Sequence, residues 1–524
     1  MTGCAFYSAA VSLLRENYIN LFRDTDAGVY MGDSTSGKIP LGYGPPVEVD
    51  ELPPPPPLKF SSVARIIGPS AIVLGVAIGS GEWLIGPSNA VLYGPYILWI
   101  ATASILLQTI LNLEMVRYTM YAGEPIFNGM LRLWPGPRFW GPLLVVLSIL
   151  ERAWPAWAFT AATGVVAAIL GKIPGAGESL YVMIAGVILA LIIVGIVSVG
   201  GVIERALEIV QWIMIFLIIA TLAVLCIIVV PASVAAETAK GFFTFGYLPK
   251  GATIVLLGAL AGYAGAGGLN NTTVSNYYRD KGIGMGAKVG AIPSLIKGKK
   301  ITVSPVGRVF RVDPENLRRW KVWRTVAWID IVGIFTLGAF IGMYLPTLLA
   351  VALIPLGTKL PAWGIAAYQG EYFSKLWGPV GWGIALLMGV WILFSTQLGS
   401  TDMITRTLVD LIWQASEKVR RWAKGEVKKL YYTVLAFIII WIIFAFALNY
   451  IFGIVPFAWI LMVANISNIV LALTAAATIY IGRKYLPKEI RTPIWSAVIL
   501  AIGVVFWATF AILATLATFF GLTI

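Results

Sequence analysis

Apolar runs of bilayer length recur from one end of this chain to the other, and no other feature restricts its fold as much. Eleven can be read, at about residues 66–93, 95–121, 139–170, 180–199, 207–231, 252–277, 326–354, 379–402, 430–452, 455–482 and 494–520. About 20 apolar residues in a helix cross the hydrocarbon core of a bilayer. Backbone in hydrocarbon must satisfy its own hydrogen bonds, and these runs lack the alternation of barrel strands, so they are read as helices. Apolar residues make up 59% of the chain and charged residues only 12%. Soluble domains carry about twice that charge. The fold class is therefore an all-α polytopic membrane protein with eleven transmembrane helices.

Basic residues cluster in alternate loops. Twelve Lys and Arg lie between residues 279 and 324, seven between 406 and 429, and four between 483 and 491. The opposite loops hold only Lys172, Lys240, Lys250, Lys359 and Lys375. The positive-inside rule then puts the N-terminus in the cytoplasm and, after eleven spans, the C-terminus outside the cell membrane. The net charge of +13 is thus a topology signal. It points to contact with anionic membrane lipid and away from a nucleic-acid partner.

Cys4 and Cys226 are too few for a disulfide framework or a thiolate metal site. Histidine is absent, which removes the commonest proton carrier and metal ligand near neutral pH. Met1–Tyr18 lacks the basic start and cleavage site of a signal peptide. Residues 1–60 read as a cytoplasmic extension with an amphipathic helix at Ala9–Phe22 and a stiff proline spacer at Pro53–Pro57. Residues 61–231 form a first five-helix unit and 232–482 a second, which carries the basic loop 279–325; 483–524 add an eleventh helix. Within that loop a hairpin is expected between Lys300–Val303 and Arg308–Val312, and Asp313-Pro314 reads as the cap and first turn of the next helix. The 20 Trp residues read as interfacial anchors.

Two spans are interrupted. The first breaks at Gly79-Ser80-Gly81-Glu82, and the sixth at Gly262-Tyr263-Ala264-Gly265-Ala266-Gly267-Gly268. The breaks stand five spans apart, in corresponding positions of two halves, the pattern of an inverted-repeat transporter with discontinuous helices at the midplane. Carbonyls freed in a break can bind cations, and the N–H groups that open the second half-helices favour anions. Close helix packing is the alternative use of such glycines.

The stretch from Gly75 to Trp99, with Leu256-Leu257-Gly258-Ala259, Trp328-Ile329-Asp330 and Ser395-Thr396-Gln397 through Thr405, resembles the first, sixth, seventh and eighth spans of the Nramp family of divalent-metal transporters. The resemblance runs in order over spans one to ten and implies the LeuT-type five-plus-five inverted-repeat fold, with helices 1 and 6 broken. It places a substrate site at Gly79, Ser80, Glu82, Ala259, Gly262, Tyr263 and Gln397. The departures from the family pattern are equally specific. Gly79, Ser80, Gly81 and Glu82 stand where manganese and iron carriers have Asp-Pro-Gly-Asn, and Gly262 and Ala264 stand at the family's Met and His. Glu82 is left as the one charged metal ligand. A carboxylate with hydroxyls and carbonyls suits a hard cation such as Mg or Na, where softer metals prefer thioether or imidazole. A small organic solute is the alternative cargo.

Other ionisable residues inside spans count as functional candidates, because each is costly unless paired or hydrated. Glu151 and Arg152 lie in the third span, where the resembled family has acidic residues on its proton route; the aligned positions here are Pro155 and Ala158. A structural pair of Glu151 with Arg406 or another basic residue is the alternative. Asp330, which opens the seventh span, and Asp402, which ends the eighth, read as gate or scaffold residues. Asn465 shares a helix face with Asn468, either lining the pathway or bridging helices. Glu114 and Arg117 read as an intrahelical salt bridge. No nucleotide loop, catalytic carboxylate pair or activated nucleophile is present. The expectation is no enzyme and no cofactor, but a transporter for a small ion or solute; a nontransporting membrane scaffold is the rival from another class.

Overall fold

The computed structural model describes residues 37–198, 203–290, 304 and 306–521. The expected helix at Ala9–Phe22 and the strand at Lys300–Val303 lie outside them. The helices in chain order are α1 (Phe60–Ile66), α2 (Pro69–Ala77), α3 (Gly86–Tyr93), α4 (Trp99–Ala122), α5 (Ile126–Leu131), α6 (Pro137–Arg152), α7 (Ala156–Leu170), α8 (Ser179–Ser198), α9 (Ile203–Val229) and α10 (Ala232–Gly241). They continue as α11 (Ile254–Tyr263), α12 (Gly268–Asp280), α13 (Gly286–Val289), α14 (Pro314–Asp330), α15 (Leu337–Leu353), α16 (Gly370–Ala415), α17 (Glu417–Trp422), α18 (Val427–Phe452), α19 (Pro456–Lys484) and α20 (Ile494–Phe520).

Among the described residues nine helical stretches are long and apolar enough to cross a membrane. The two other expected spans fall on α9, apolar over Ile215–Val229, and on the pair α11 and α12, neither of which is long enough alone. Polarity is distributed inside out. Ile227, Phe216 and Val505 are 83%, 70% and 67% exposed, whereas Gln108, Glu82, Glu151 and Asn271 are fully buried. An outer apolar belt of this extent is unfavourable in water and satisfied in lipid. The chain is a multi-pass membrane protein.

Three boundaries differ from the sequence reading. The third span is itself broken, at Ala153–Pro155 between α6 and α7, because Pro155 cannot continue the ladder of α6. Asp330 does not open a helix: it closes α14, and the helical path continues through a π-helical stretch Ile331–Thr336 into α15. Asp402 does not end the eighth span, since α16 runs on to Ala415. Both residues look terminal in sequence because the apolar run stops beside them, but the helix goes on wherever polar side chains find buried partners.

The segment before α1 packs across the end of the bundle where α4 finishes and α14 begins. Strands β1 (Lys38–Ile39), β2 (Val47–Asp50) and β3 (Arg308–Phe310) make a sheet in that order. β1 and β2 are antiparallel with Ile39 opposite Val47, and β2 and β3 are parallel with Val49 opposite Val309. Arg308–Phe310 pairs with the N-terminal extension, while the strand expected opposite it in the hairpin lies outside the described residues. Asp313 does cap α14, accepting from the Asn316 N–H at 2.8 Å. Past the sheet, Leu52 and Pro53 lie along α14, held by Asn316, Arg319 and Trp323.

The anchor of this strap is the pair Glu124–Arg132. Glu124 Oε1 accepts from Arg132 and from the Gly307 N–H, and Oε2 from Arg132 and the Tyr118 hydroxyl, at 2.6–2.9 Å. Arg132 donates onward to the carbonyls of Leu41 and Pro45. Burial alone would raise the Glu124 carboxyl, but Arg132 first, then Tyr118 and Gly307, hold it below the ordinary carboxylate value. A depressed folded-state value contributes stability that is present above the unfolded value and is lost as pH falls through the folded one. Limited proteolysis of the strap should therefore show protection at pH 7 and cleavage in acid below the carboxylate range, with Glu124→Gln cleaved already at pH 7. A strap equally protected at both pH values would contradict this.

Candidate functional site

In the first break α2 stops at Ala77, and Ile78 turns out of the helix with ψ 68°. The chain resumes as a π-helical turn, Gly81–Ile85, before α3. Glycine at 81 is enforced by packing, since a Cβ there would collide with the Tyr263 carbonyl of the second break. The two interruptions thus touch through their backbones. Gly81→Ala should lower stability by about 1–3 kcal/mol, the usual cost of overpacking, and depress any transport with it. Gly195→Ala, where a Cβ meets open space, is the control; equal melting of the two variants would refute the contact.

The second break separates α11 from α12. Gly265 and Gly267 have φ of +97° and +75°, which L side chains rarely adopt, and so free three N–H groups from the helical ladder. Each is taken by a side chain from a different earlier span. The Gly265 N–H donates to Glu82 Oε1 at 3.1 Å, the Gly267 N–H to Gln108 Oε1 at 3.1 Å, and the Leu269 N–H to both Glu151 oxygens at 3.0–3.1 Å. Gln108 is used completely: it also accepts from Asn271 and donates to Ser104 and the Ala264 carbonyl. Spans one, two and three therefore hold the broken sixth span by its backbone, as buried donors require.

This changes the expected electrostatics. The N-terminus of α12, read in sequence as a place for an anionic ligand, already carries the Glu151 carboxylate, which Ser467 also contacts at 2.6 Å. Glu82 differs. One of its oxygens takes Gly265, and Oε2 has no hydrogen-bond partner among the described residues although Glu82 is fully buried. Beside it, between the breaks, lies a cavity of about 10 Å³ lined by Val76, Ala77, Ser80, Gly81, Trp157, Tyr263, Gly265, Ala266 and Asn270. That is room for roughly one water-sized particle. Asn270 Oδ1 is buried and unpartnered, the Ser80 hydroxyl accepts from Trp157 at 2.8 Å, and the Trp157 and Tyr263 rings lie parallel, 6.2 Å apart. No His, Cys or Met lines the cavity, and no group of three or more His, Cys, Asp or Glu able to hold a metal occurs among the described residues.

The candidates fall into distinct places. Ser80 and Tyr263 line the cavity, and Glu82 stands next to it through Gly81 and Gly265. Gly79 packs on Thr396, and Gly262 on the Ala464 carbonyl; Ala259 is buried in α11. Gln397 accepts from the Ala158 N–H at 3.2 Å, in the opening turn of α7, and donates to Thr401. Glu151 does not pair with Arg406, which binds Asp402 instead. Arg152 donates to Thr273 and Thr407. Asp330 accepts from Gly68 and Ser70 at the start of α2 and from the Tyr278 hydroxyl. Asn465 and Asn468 donate to α11 carbonyls at Val255 and Gly258, bridging helices. Glu114 and Arg117 pair at 2.6 Å. The sequence reading missed Gln108, Trp157 and Asn270. An amide inside the apolar second span, one turn before Asn112, was the available signal for Gln108, while Trp157 was absorbed into the anchoring reading although it is buried.

No protein-family profile matches the sequence, and no curated protein matches it. Solved structures do. The manganese transporter of Eremococcus coleocola, in complex with an aromatic bis-isothiourea substituted compound, superposes with a TM-score of 0.62 at 16% identity, covering 91% of this chain and 90% of that one. A single-residue mutant of the same transporter gives 0.62 at 16% identity, with 92% of each chain covered. The chain has the LeuT-type fold. In that fold the breaks of spans one and six belong to two inverted halves, so the backbone contact at Gly81 and Tyr263 lies where the halves meet. Mhp1, a nucleobase-cation-symport-1 family transporter, matches at a TM-score of 0.48 and 14% identity over 86% of this chain and 90% of that one.

Proposed function

We propose that this protein is a secondary-active transporter that moves a small hard cation by alternating access, with its N-terminus in the cytoplasm. Glu82 carries the reading: a buried carboxylate ties the two breaks together through one oxygen and leaves the other without a hydrogen-bond partner among the described residues. A charge so placed costs several kcal/mol unless a cation or proton arrives. Ser80 and Asn270 supply neutral oxygens nearby, and the set is that of a hard, partly hydrated ion such as Mg²⁺ or Na⁺. The lack of sulfur or imidazole ligands disfavours softer metals. A cavity of about 10 Å³ has no room for an organic solute in this conformation. The resemblance to Nramp spans and the fold shared with a manganese transporter support cation movement as the class of activity.

The test is counterflow into proteoliposomes loaded in turn with Mg²⁺, Mn²⁺, Na⁺ or an amino-acid mixture, with a pH dye reporting protons. Uptake of a hard cation supports the reading. Uptake of amino acids alone would replace it with the organic-solute alternative, and no flux of any solute would favour a membrane scaffold.

A further inference from the structure

The short helix α17 and the start of α18 carry six Lys and Arg against two Glu within residues 417–429. Three of these cations are engaged by the protein itself. Arg420 donates to the carbonyls of Trp413 and Gln414 near the end of α16, Arg421 pairs with Glu417 at 3.2 Å, and Lys429 reaches the Trp422 carbonyl at 3.3 Å. Lys418, Lys424 and Lys428 are exposed and enter no ion pair among the described residues. Val419, Ala423 and Val427 join the apolar core shared with α8 and α16. Apolar packing thus holds this corner of the bundle in place, with its lysines left at the surface.

Two aromatic side chains stand beside these cations. Trp422 is 47% exposed, with the Lys429 ammonium 4.1 Å from its ring centroid, and Tyr432 is exposed with Lys428 over its ring at 6.0 Å. Indole and phenol rings collect at the headgroup level of a bilayer, where an apolar body and a polar tip are both satisfied. The Tyr432 hydroxyl donates to the Ser198 carbonyl at 3.2 Å, which ties the end of α8 to α18. Past Tyr432 the exposed face of α18 continues through Ala436, Ile440 and Ile443, at the three- and four-residue steps of one helix face. Ile192 and Ile196 of the neighbouring α8 are exposed as well. From Tyr432 to Ile443 the helix rises about 16 Å, about half the hydrocarbon thickness of a bilayer. Cations, rings and apolar side chains therefore follow one another in the order of a phospholipid's headgroup, interface and acyl chain.

We propose that this face binds an anionic phospholipid, its headgroup in the field of Lys418, Lys424 and Lys428 and an acyl chain laid along α18 from Tyr432 to Ile443. Clustered Lys and Arg at the membrane end of a helix attract anionic headgroups. A zwitterionic headgroup, which has no net charge, gains far less from them. A nucleic acid or an acidic protein would match the lysines, but neither would match the apolar face that continues from them. The site stands apart from Glu82 and needs no transport activity.

The experiment is photolabelling of the full chain in phosphatidylcholine nanodiscs that hold a trace of phosphatidylglycerol or phosphatidylcholine, each with the same diazirine acyl chain. Labelled residues are mapped by mass spectrometry. The phosphatidylglycerol probe should label residues 416–443 about tenfold more than the phosphatidylcholine probe. Combining Lys418→Gln, Lys424→Gln and Lys428→Gln should bring the two probes level, in a protein that melts close to its parent. Lys484→Gln with Lys488→Gln, exposed lysines at the end of α19 and just past it, should keep the excess. Equal labelling by both probes in the parent overturns the proposal. An excess that survives the triple substitution does so too, as does one that the control pair removes equally.

Discussion

Glu82→Gln is expected to leave the protein folded and to cut cation transport by about 100-fold. The glutamine keeps an oxygen for the Gly265 N–H, the one contact Glu82 makes in the second break, so the two halves stay joined. What disappears is the negative charge. A charge-assisted interaction is worth about 1.5–3 kcal/mol, and about 2.7 kcal/mol corresponds to a hundredfold in affinity. The amide would also bury an N–H₂ group at the unpartnered position, so melting should drop modestly. Initial rates in proteoliposomes and thermal unfolding in detergent, on the same preparation, separate the two effects. A Glu82→Gln protein that transports like its parent would make the carboxylate a structural clasp.

Glu151→Ala should do the reverse and act first on stability. Its carboxylate receives the Leu269 N–H and the Ser467 hydroxyl, and it stands beside Arg152, whose guanidinium is held by hydroxyls and, among the described residues, by no carboxylate within salt-bridge distance. Truncation leaves the N-terminus of α12 uncapped in a buried setting and Arg152 without its compensating charge. Removing one partner from a buried charged arrangement costs about 3–5 kcal/mol. The variant should melt far below the parent or fail to accumulate, and Glu151→Gln, which keeps an acceptor, should recover part of the loss. A Glu151→Gln protein that is stable and yet loses proton-dependent flux would return this residue to the coupling role its place in the third span suggests. A fully stable Glu151→Ala protein would contradict the capping account.

These two residues show what the sequence disclosed and what it hid. The spans were legible because lipid exposure demands long apolar runs, and the breaks because glycine clusters inside such runs have few other uses. Glu82 was legible as a carboxylate in a break. The division of labour among the buried polar residues was not, because it depends on which spans meet. Gln108 and Glu151 hold backbone N–H groups about 160 and 118 residues further along the chain. No local pattern announces a cap supplied from that distance. Gln397 was assigned to the site by its motif, yet it serves the opening turn of α7, a helix start created by an unexpected break at Pro155. Asp330 similarly caps α2 from the seventh span. In hydrocarbon every helix start needs such a partner, so a chain with three broken spans assigns many of its buried polar residues to that work. Glu82 Oε2 and Asn270 Oδ1 are among the buried oxygens left without a hydrogen-bond partner among the described residues, and these two residues lie beside and in the lining of the cavity between the breaks.

The most direct test of the cation site is anomalous diffraction from crystals grown with Mn²⁺, a hard-ligand probe that a carboxylate, carbonyl and water site accommodates. The account predicts a single peak between the two breaks, within about 2.0–2.6 Å of an oxygen of Glu82, Ser80 or Asn270, absent from Glu82→Gln crystals. No peak between the breaks in a protein that still carries Mn²⁺ across a membrane, or a peak that persists without Glu82, would contradict it.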